Sequence, residues 1–214
     1  MNRKEVLEAL KKVREGKKRN FTQTVDLIIN LKNINLKDTK NRFNEVLELP
    51  APKSKQAKIC VIADGDALVQ AKKVADVAIS KEDLPQWKDK KKAKRLADSV
   101  DFLIVQAQLM QPLATTLGQV LGPRGKMPIP AHIVPPVSDI NPVMKKARNS
   151  VRVRLRESPV IQAYVGSEDM DDEKLAENIE AVTNLVLKKL EKGTNSVRNI
   201  IVKSTMGPVV KLNV

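Results

Sequence analysis

The hydrophobic pattern of this chain changes period twice, and that change limits the folds open to it. Val6, Leu7, Leu10 and Val13 fall on one face of a helix over residues 2–15, which Gly16 stops. Val25, Leu27, Ile29 and Leu31 then alternate with Thr24, Asp26 and Asn30, and Phe43, Leu47 and Leu49 lead to Pro50. A two-residue period means strands with one wet face, which suits an antiparallel sheet. From about residue 58 the pattern becomes continuous. Ile59-Cys60-Val61-Ile62 and Phe102-Leu103-Ile104-Val105 are unbroken apolar runs separated by helical stretches near 66–75 and 82–98, as in buried parallel strands of an α/β unit. A proline-rich loop from Gly122 to Pro136 and a helix over 139–149, with Pro142 in its first turn, complete this middle part.

At Val151 the alternation returns, and a further strand runs from Val160 to Val165. Residues 171–192 place Leu175, Ile179, Val182, Val186 and Leu190 on one stripe. Acids open this helix, Lys188, Lys189 and Lys192 close it, and Gly193 follows. The last strands are Val197 to Lys203 and Val209 to Val214. The ends therefore share one style and the middle has another. The expected architecture is α/β plus α+β in two domains: a discontinuous α+β domain from residues 1–58 and 152–214, an antiparallel sheet with helices, and a three-layer α/β domain inserted at 59–151. Two connections, near residues 58 and 151, would allow hinge motion while restricting twist.

Charge narrows the function. Lys and Arg number 39 against 25 Asp and Glu, a net +14, which supplies the positive potential of several phosphate contacts. The end segments carry +9 of this and the middle +5, so the discontinuous domain is the better polyanion site. Phe21, Phe43, Trp87, Phe102 and Tyr164 are too few aromatics to read several bases by stacking, which leaves charge, hydroxyls and backbone to hold a nucleic acid. One cysteine, Cys60, and one histidine, His132, leave a disulfide framework, a Cys/His zinc site and two-histidine catalysis without their atoms. No metal, cofactor or catalytic residue is expected. No apolar run approaches the roughly 18 residues of a membrane span, and the charged N-terminus points to the cytosol.

Four motifs carry candidate chemistry. In Lys17-Lys18-Arg19-Asn20-Phe21, cations can meet phosphates while Phe21 packs on a ribose or base; otherwise the loop is merely solvated and Phe21 folds into the core. Thr22 and Thr24 offer hydroxyls on the polar face of the following strand. Arg152, Arg154 and Arg156 form a row at period two that needs either an anion or acids from the same sheet, with Asp26, Glu45 and Glu48 as the internal candidates. Lys203-Ser204-Thr205-Met206-Gly207-Pro208 is a tight turn whose two hydroxyls can serve 2′-OH or phosphate groups. In the middle, Leu121-Gly122-Pro123-Arg124-Gly125-Lys126-Met127-Pro128 fails the phosphate-loop pattern, with Val120 and Met127 at its required Gly and Ser/Thr positions. A stiff basic loop with Arg124 and Lys126 remains. Asp64-Gly65-Asp66 reads as a turn with a helix N-cap rather than a metal site. Lys88 to Arg95, six cations in eight residues, reads as the outer face of a surface helix where a second RNA contact is possible but unforced.

Asn20-Phe21-Thr22-Gln23-Thr24-Val25-Asp26, the loop Leu121 to Pro128 and the ending Thr205-Met206-Gly207-Pro208 together resemble the ribosomal protein L-one family along the whole chain. The resemblance implies a split domain I that binds RNA, an inserted Rossmann-like domain II and a hinge between them. It further implies a non-catalytic constituent of the large ribosomal subunit and a cytoplasmic, ribosomal location. Its implied partners are the large-subunit rRNA of the mobile stalk, exit-site tRNA whose release it assists, and its own mRNA, whose translation it represses; the free protein would be a monomer. Carried onto this sequence, the RNA site comprises Phe21, Thr24 and Asp26 with Ser204, Thr205, Met206, Gly207 and Pro208. Lys203, Arg154 and Gln162 are added as neighbours, and Arg124 and Lys126 form a secondary basic loop. Asp26 stands where a Glu is frequent, and Gln162 where bacterial members often have His. Pro128-Ile129-Pro130-Ala131-His132 looks archaeal rather than bacterial. The alternatives are a nucleotide- or RNA-processing α/β enzyme built on Asp64, Asp66 and Arg124, and a non-specific basic RNA chaperone.

Overall fold

The computed structural model describes residues 3–16, 19–38, 41–54, 56–135, 138–190 and 193–212. Lys17, Lys18, Pro136, Lys192 and Val214 lie outside the described residues. The first apolar stripe folds as α1 (Arg3–Arg14), burying Val6, Ala9, Leu10 and Val13. The alternation that follows folds as β1 (Thr24–Leu31), with every second side chain buried. After β2 (Phe43–Glu48) the chain enters a second unit and returns in β7 (Ser150–Leu155), β8 (Val160–Ser167), α6 (Asp172–Lys189), β9 (Val197–Ser204) and β10 (Val209–Leu212). Two compact units result, Met1–Lys55 with Asn149–Val214, and Gln56–Arg148.

The discontinuous unit contains a four-stranded antiparallel sheet in the order β10-β9-β1-β8 and a two-stranded ribbon of β2 and β7. One face of the sheet joins α1 and α6 in a single core, with Leu10, Leu27, Ile161, Ile179 and Ile200 at its centre. Two side chains hold the helices in place. Arg14 Nε donates to Asp172 Oδ1 at 2.7 Å and its terminal nitrogens donate to the carbonyls of Glu168 and Met170. Asn178, fully buried on α6, takes the Ala51 N–H on its Oδ1 at 3.0 Å and donates to the carbonyls of Ala51 and Val165 at 3.2 and 2.8 Å. The pairing of β1 with β8 jumps from Val25↔Gly166 to Asp26↔Tyr164. Val165 is thus the extra residue of a bulge, and Asn178 satisfies a carbonyl that the bulge displaces from the ladder.

The contiguous unit holds a parallel sheet in the order β4-β3-β5-β6: β3 (Ile59–Ile62), β4 (Val77–Ile79), β5 (Phe102–Gln106) and β6 (Ile133–Val134). The helices α3 (Lys90–Ser99) and α4 (Met110–Leu121) cover one face. On the other lie α2 (Asp66–Val74) and α5 (Asn141–Asn149). Burial on both faces explains the unbroken apolar runs of β3 and β5. The fold class is the expected mixture of α/β and α+β.

Local departures have local causes. The helix expected over 82–98 is broken: Leu84–Lys88 forms a 3-10 turn with Pro85 near its start, and Asp89 restarts the chain as the N-cap of α3, accepting the Lys91 N–H at 2.9 Å. At Asp64-Gly65-Asp66 neither carboxylate caps α2. Gly65 is the N-cap with φ 61°, and its N–H donates to Asp64 Oδ1 at 2.9 Å. Helix α4 and strands β4 and β6 carried too little pattern to be expected.

Candidate nucleic-acid interface

Because β1 lies between β8 and β9, its first residue meets the turn that leaves β9. Thr24 N–H donates to Thr205 Oγ1 at 3.1 Å, the two hydroxyl oxygens are 2.8 Å apart, and Thr205 N–H donates back to the Thr24 carbonyl at 3.0 Å. Gln23 is buried between the two segments. Its Oε1 accepts the Met206 N–H at 3.0 Å, and its Nε2 donates to Glu168 Oε2 at 3.2 Å. Gly207 N–H closes the turn on the Ser204 carbonyl at 3.2 Å. Polar groups thus pin the turn to the start of β1, and its apolar side chain is left facing water.

Among the described residues five large hydrophobics are exposed, and three of them are Phe21 (51%) in the loop before β1, Met206 (60%) in this turn and Val209 (58%), which opens β10 directly after it. Clustering of exposed apolar groups marks an interaction surface. Phe21 is therefore not a core residue. Thr22 and Arg19, exposed beside it, precede the strand rather than lying on its polar face.

Two glycines make room for the arrangement. A Cβ on Gly207 would lie 2.0 Å from Ser204 Oγ, and one on Gly16 would lie 2.9 Å from Pro208 Cδ. Gly16 therefore does more than stop α1: it lets the turn rest against the helix end. Ser204 departs from expectation. Its pairing with Val25 turns it inward, it is buried, and its hydroxyl fills the space under Gly207 rather than facing a ligand. A cleft of about 400 Å³ opens alongside, lined in part by Gly16, Arg19, Gln23 and Ser204.

Asp26 sits opposite Lys203 on β9 and Tyr164 on β8. Burial pushes its carboxyl above the ordinary value of 3.8, with the Lys203 ammonium opposing the rise. A raised folded value means that stability from the neutral carboxyl is fully present below about pH 3.8 and lost as pH rises through the folded value. Asp26→Asn keeps the neutral form throughout. Its stability relative to the parent should therefore climb from about pH 4 upward and level off once Asp26 is ionised. Denaturant midpoints from pH 3 to 7 check this, and a parent that gains on the variant over that range contradicts it.

The remaining expected site residues are not all brought together. Gln162 lies on the same sheet, opposite Ile28, four residues and about 13 Å along β1 from Thr24. Arg154 is on the separate ribbon, opposite Asn44, and Arg156 lies past the end of β7. Of the expected acidic neighbours, Glu45 pairs with Lys189 at 2.6 Å and Asp26 belongs to the other sheet. Burial, and then the charges of Arg154 and Arg156, lower the proton affinity of the Arg152 guanidinium. In the contiguous unit, Arg124 donates to Asp98 and Lys126 Nζ to the Val100 carbonyl at 2.9 Å. The basic loop is thus tied to the end of α3. Arg124 lies away from the cleft at the carboxyl ends of the parallel strands, where Asp64 sits, so the residues of the expected enzyme alternative are not assembled. Among the described residues no group of His, Cys, Asp and Glu could hold a metal, and no helix is long and apolar enough to cross a membrane.

The profile of the Ribosomal protein L1p/L10e family matches residues 10–208. The chain belongs to this family. It is similar to proteins named Large ribosomal subunit protein uL1 from archaea. That of Methanothermobacter thermautotrophicus is 46% identical over 97% of this chain and 98% of its own length. That of Thermococcus kodakarensis is 44% identical over 99% and 98%, and that of Methanocaldococcus jannaschii 42% identical over 99% and 96%. Membership puts the chain among ribosomal proteins rather than enzymes. Gln23 and Gly16 had no chemical signal in the sequence; Gln23 stood out only as part of the segment before β1.

Proposed function

We propose that this chain is a constituent of the large ribosomal subunit that binds rRNA of the mobile stalk through the surface around Thr24 and the 205–208 turn. The observation that carries the reading is the exposure of Phe21, three residues before Thr24, and of Met206, next to Thr205, where the Thr24 and Thr205 hydroxyls pair and are held in place by backbone. When the Thr205 hydroxyl turns to the Thr24 carbonyl, 3.4 Å away, Thr24 Oγ1 keeps lone pairs for a ribose 2′-OH. Met206 and Phe21 supply apolar contact with ribose and base, Asp26 can accept a hydrogen bond, and the +14 surplus supplies salt-dependent attraction to phosphate. In this reading the hydroxyls and the turn select the RNA shape and the cations add affinity.

The finer roles belong to the same proposal. A protein held on the stalk assists release of deacylated tRNA from the exit site, and a similar fold in its own mRNA lets the free, monomeric protein repress translation in the cytoplasm. The test is binding to a stalk-region rRNA fragment and to an unrelated duplex of equal length across a salt series. The expected result is a specific affinity that stays at least about 100-fold above the control as salt rises, within the usual span between specific and non-specific binding. Equal affinities that collapse together would assign all binding to charge and overturn the proposal.

A further inference from the structure

Charge is placed in α3 against the rule that α2 and α6 follow. Asp66 opens α2 and Lys72 and Lys73 close it; Asp172 and Glu173 open α6 and Lys188 and Lys189 close it. Both distributions match the helix dipole, positive at the N-terminus and negative at the C-terminus. Helix α3 reverses it, with Lys90, Lys91 and Lys92 as its first three residues and no basic residue in its last turn. Lys88 precedes them and Lys94 and Arg95 follow, so like charges also meet at spacings of three and four residues.

Among the described residues no ion pair engages this group, and all six side chains are exposed. The nearby acids are engaged elsewhere. Asp89 caps the helix through the Lys91 N–H, Asp98 holds Arg124, Asp101 takes the Lys58 N–H at 3.0 Å, and Asp83 accepts from the Ser80 hydroxyl at 2.7 Å. Ala93, Leu96 and Ala97 pack inward with Leu113 and Leu117 of α4, so packing commits the opposite face to solvent. The result is a convex band of cations spanning about 8 Å between Lys90 and Arg95, with no aromatic or hydroxyl group in its row to select a base.

We infer that the N-terminal half of α3 is a second RNA-binding surface, on the contiguous unit, that grips the phosphate backbone of duplex RNA without reading sequence. The inference rests on the RNA-binding reading of the protein. Two ribosomal sources carry this chemistry, rRNA of the stalk and tRNA, and the experiment treats them separately. A protein partner is disfavoured because the band offers no apolar contact; the chemistry is that of backbone neutralisation alone.

The test is the full-length quadruple variant K90Q, K91Q, K92Q and K94Q, in which glutamine keeps the helix propensity of lysine. Affinity is measured against a stalk-region fragment, a deacylated tRNA and an unrelated duplex over a salt series. Each phosphate contact contributes about 0.7–0.9 to the slope of log affinity against log salt, so the slope should shrink by about 3 on at least one ribosomal RNA while discrimination against the control duplex is retained. The first two arms tell which RNA lies on α3. Because the substitutions relieve repulsion at the helix N-terminus, the free variant should melt about 3–6 °C above the parent. A slope unchanged on both ribosomal RNAs overturns the inference. Loss of discrimination by the parent itself would instead strike the site around Met206, so the two failures are distinguishable.

Discussion

Met206→Asp should raise the dissociation constant for stalk-region rRNA at least about 100-fold and leave the melting temperature within about 2 °C of the parent. The side chain is 60% exposed in the free protein, and substitutions at such positions ordinarily change stability by no more than about 0.5 kcal/mol. In the complex proposed above the same atoms would be covered. Losing a buried methionine forfeits about 1.5–3 kcal/mol of apolar contact. The carboxylate adds repulsion from nearby phosphates in a desolvated setting, so the total exceeds the roughly 2.8 kcal/mol that a hundredfold change requires. Met206→Leu keeps volume and polarity and should stay within about threefold of the parent. Gel-shift or calorimetric titration of both variants checks the pair. An aspartate variant that binds the fragment normally removes Met206 from the site.

Asn178→Leu should be the most damaging single change to the discontinuous unit, costing about 3–5 kcal/mol. Leucine fills nearly the same space but strands the Ala51 N–H and the carbonyls of Ala51 and Val165, all bonded to Asn178 in the folded protein. A buried polar group left without a partner costs about 1–3 kcal/mol. Calorimetry should show the transition of this unit lowered by about 10–20 °C. A shift under about 3 °C would mean that the bulge at Val165 finds other partners. RNA affinity measured below the new transition should fall as well, because the bulge lies beside Asp26 and sets how the start of β1 meets the 205–208 turn.

What the sequence showed of this fold follows from how strongly each segment repeats. The alternation at Val25, Leu27, Ile29 and Leu31 could only be a half-buried strand, and Ile59 to Ile62 could only be covered on both faces. Helix α4 was obscured because Pro112 stands just before its Leu113, Leu117, Leu121 stripe and Gly118 within it, although a proline in the first turn does not prevent a helix. Strand β4 spans three residues, too few for any period to register. The residues around Thr24 and Met206 stood out through unusual neighbours, whereas what holds them in place did not. Gln23, Gly16 and Asn178 act through contacts with residues 127 to 192 positions away, which no local pattern records. Ser204 and Arg154 show the converse limit. Spacing along a strand tells which residues share a face, but only pairing tells which sheet and which side that face belongs to.

The strand order β10-β9-β1-β8 also imposes a timetable. Strand β1 is made early, but both strands that hydrogen-bond to it follow residue 159, and the turn that rests on Gly16 follows β9. Residues 56–148 meanwhile have a sheet and two cores to themselves. A chain interrupted between residue 148 and β9 can therefore possess a well-ordered middle yet present no assembled Thr24–Thr205 surface. On the proposed function, recognition becomes conditional on synthesis through residue 208, so fragments that stop earlier would not compete for the RNA.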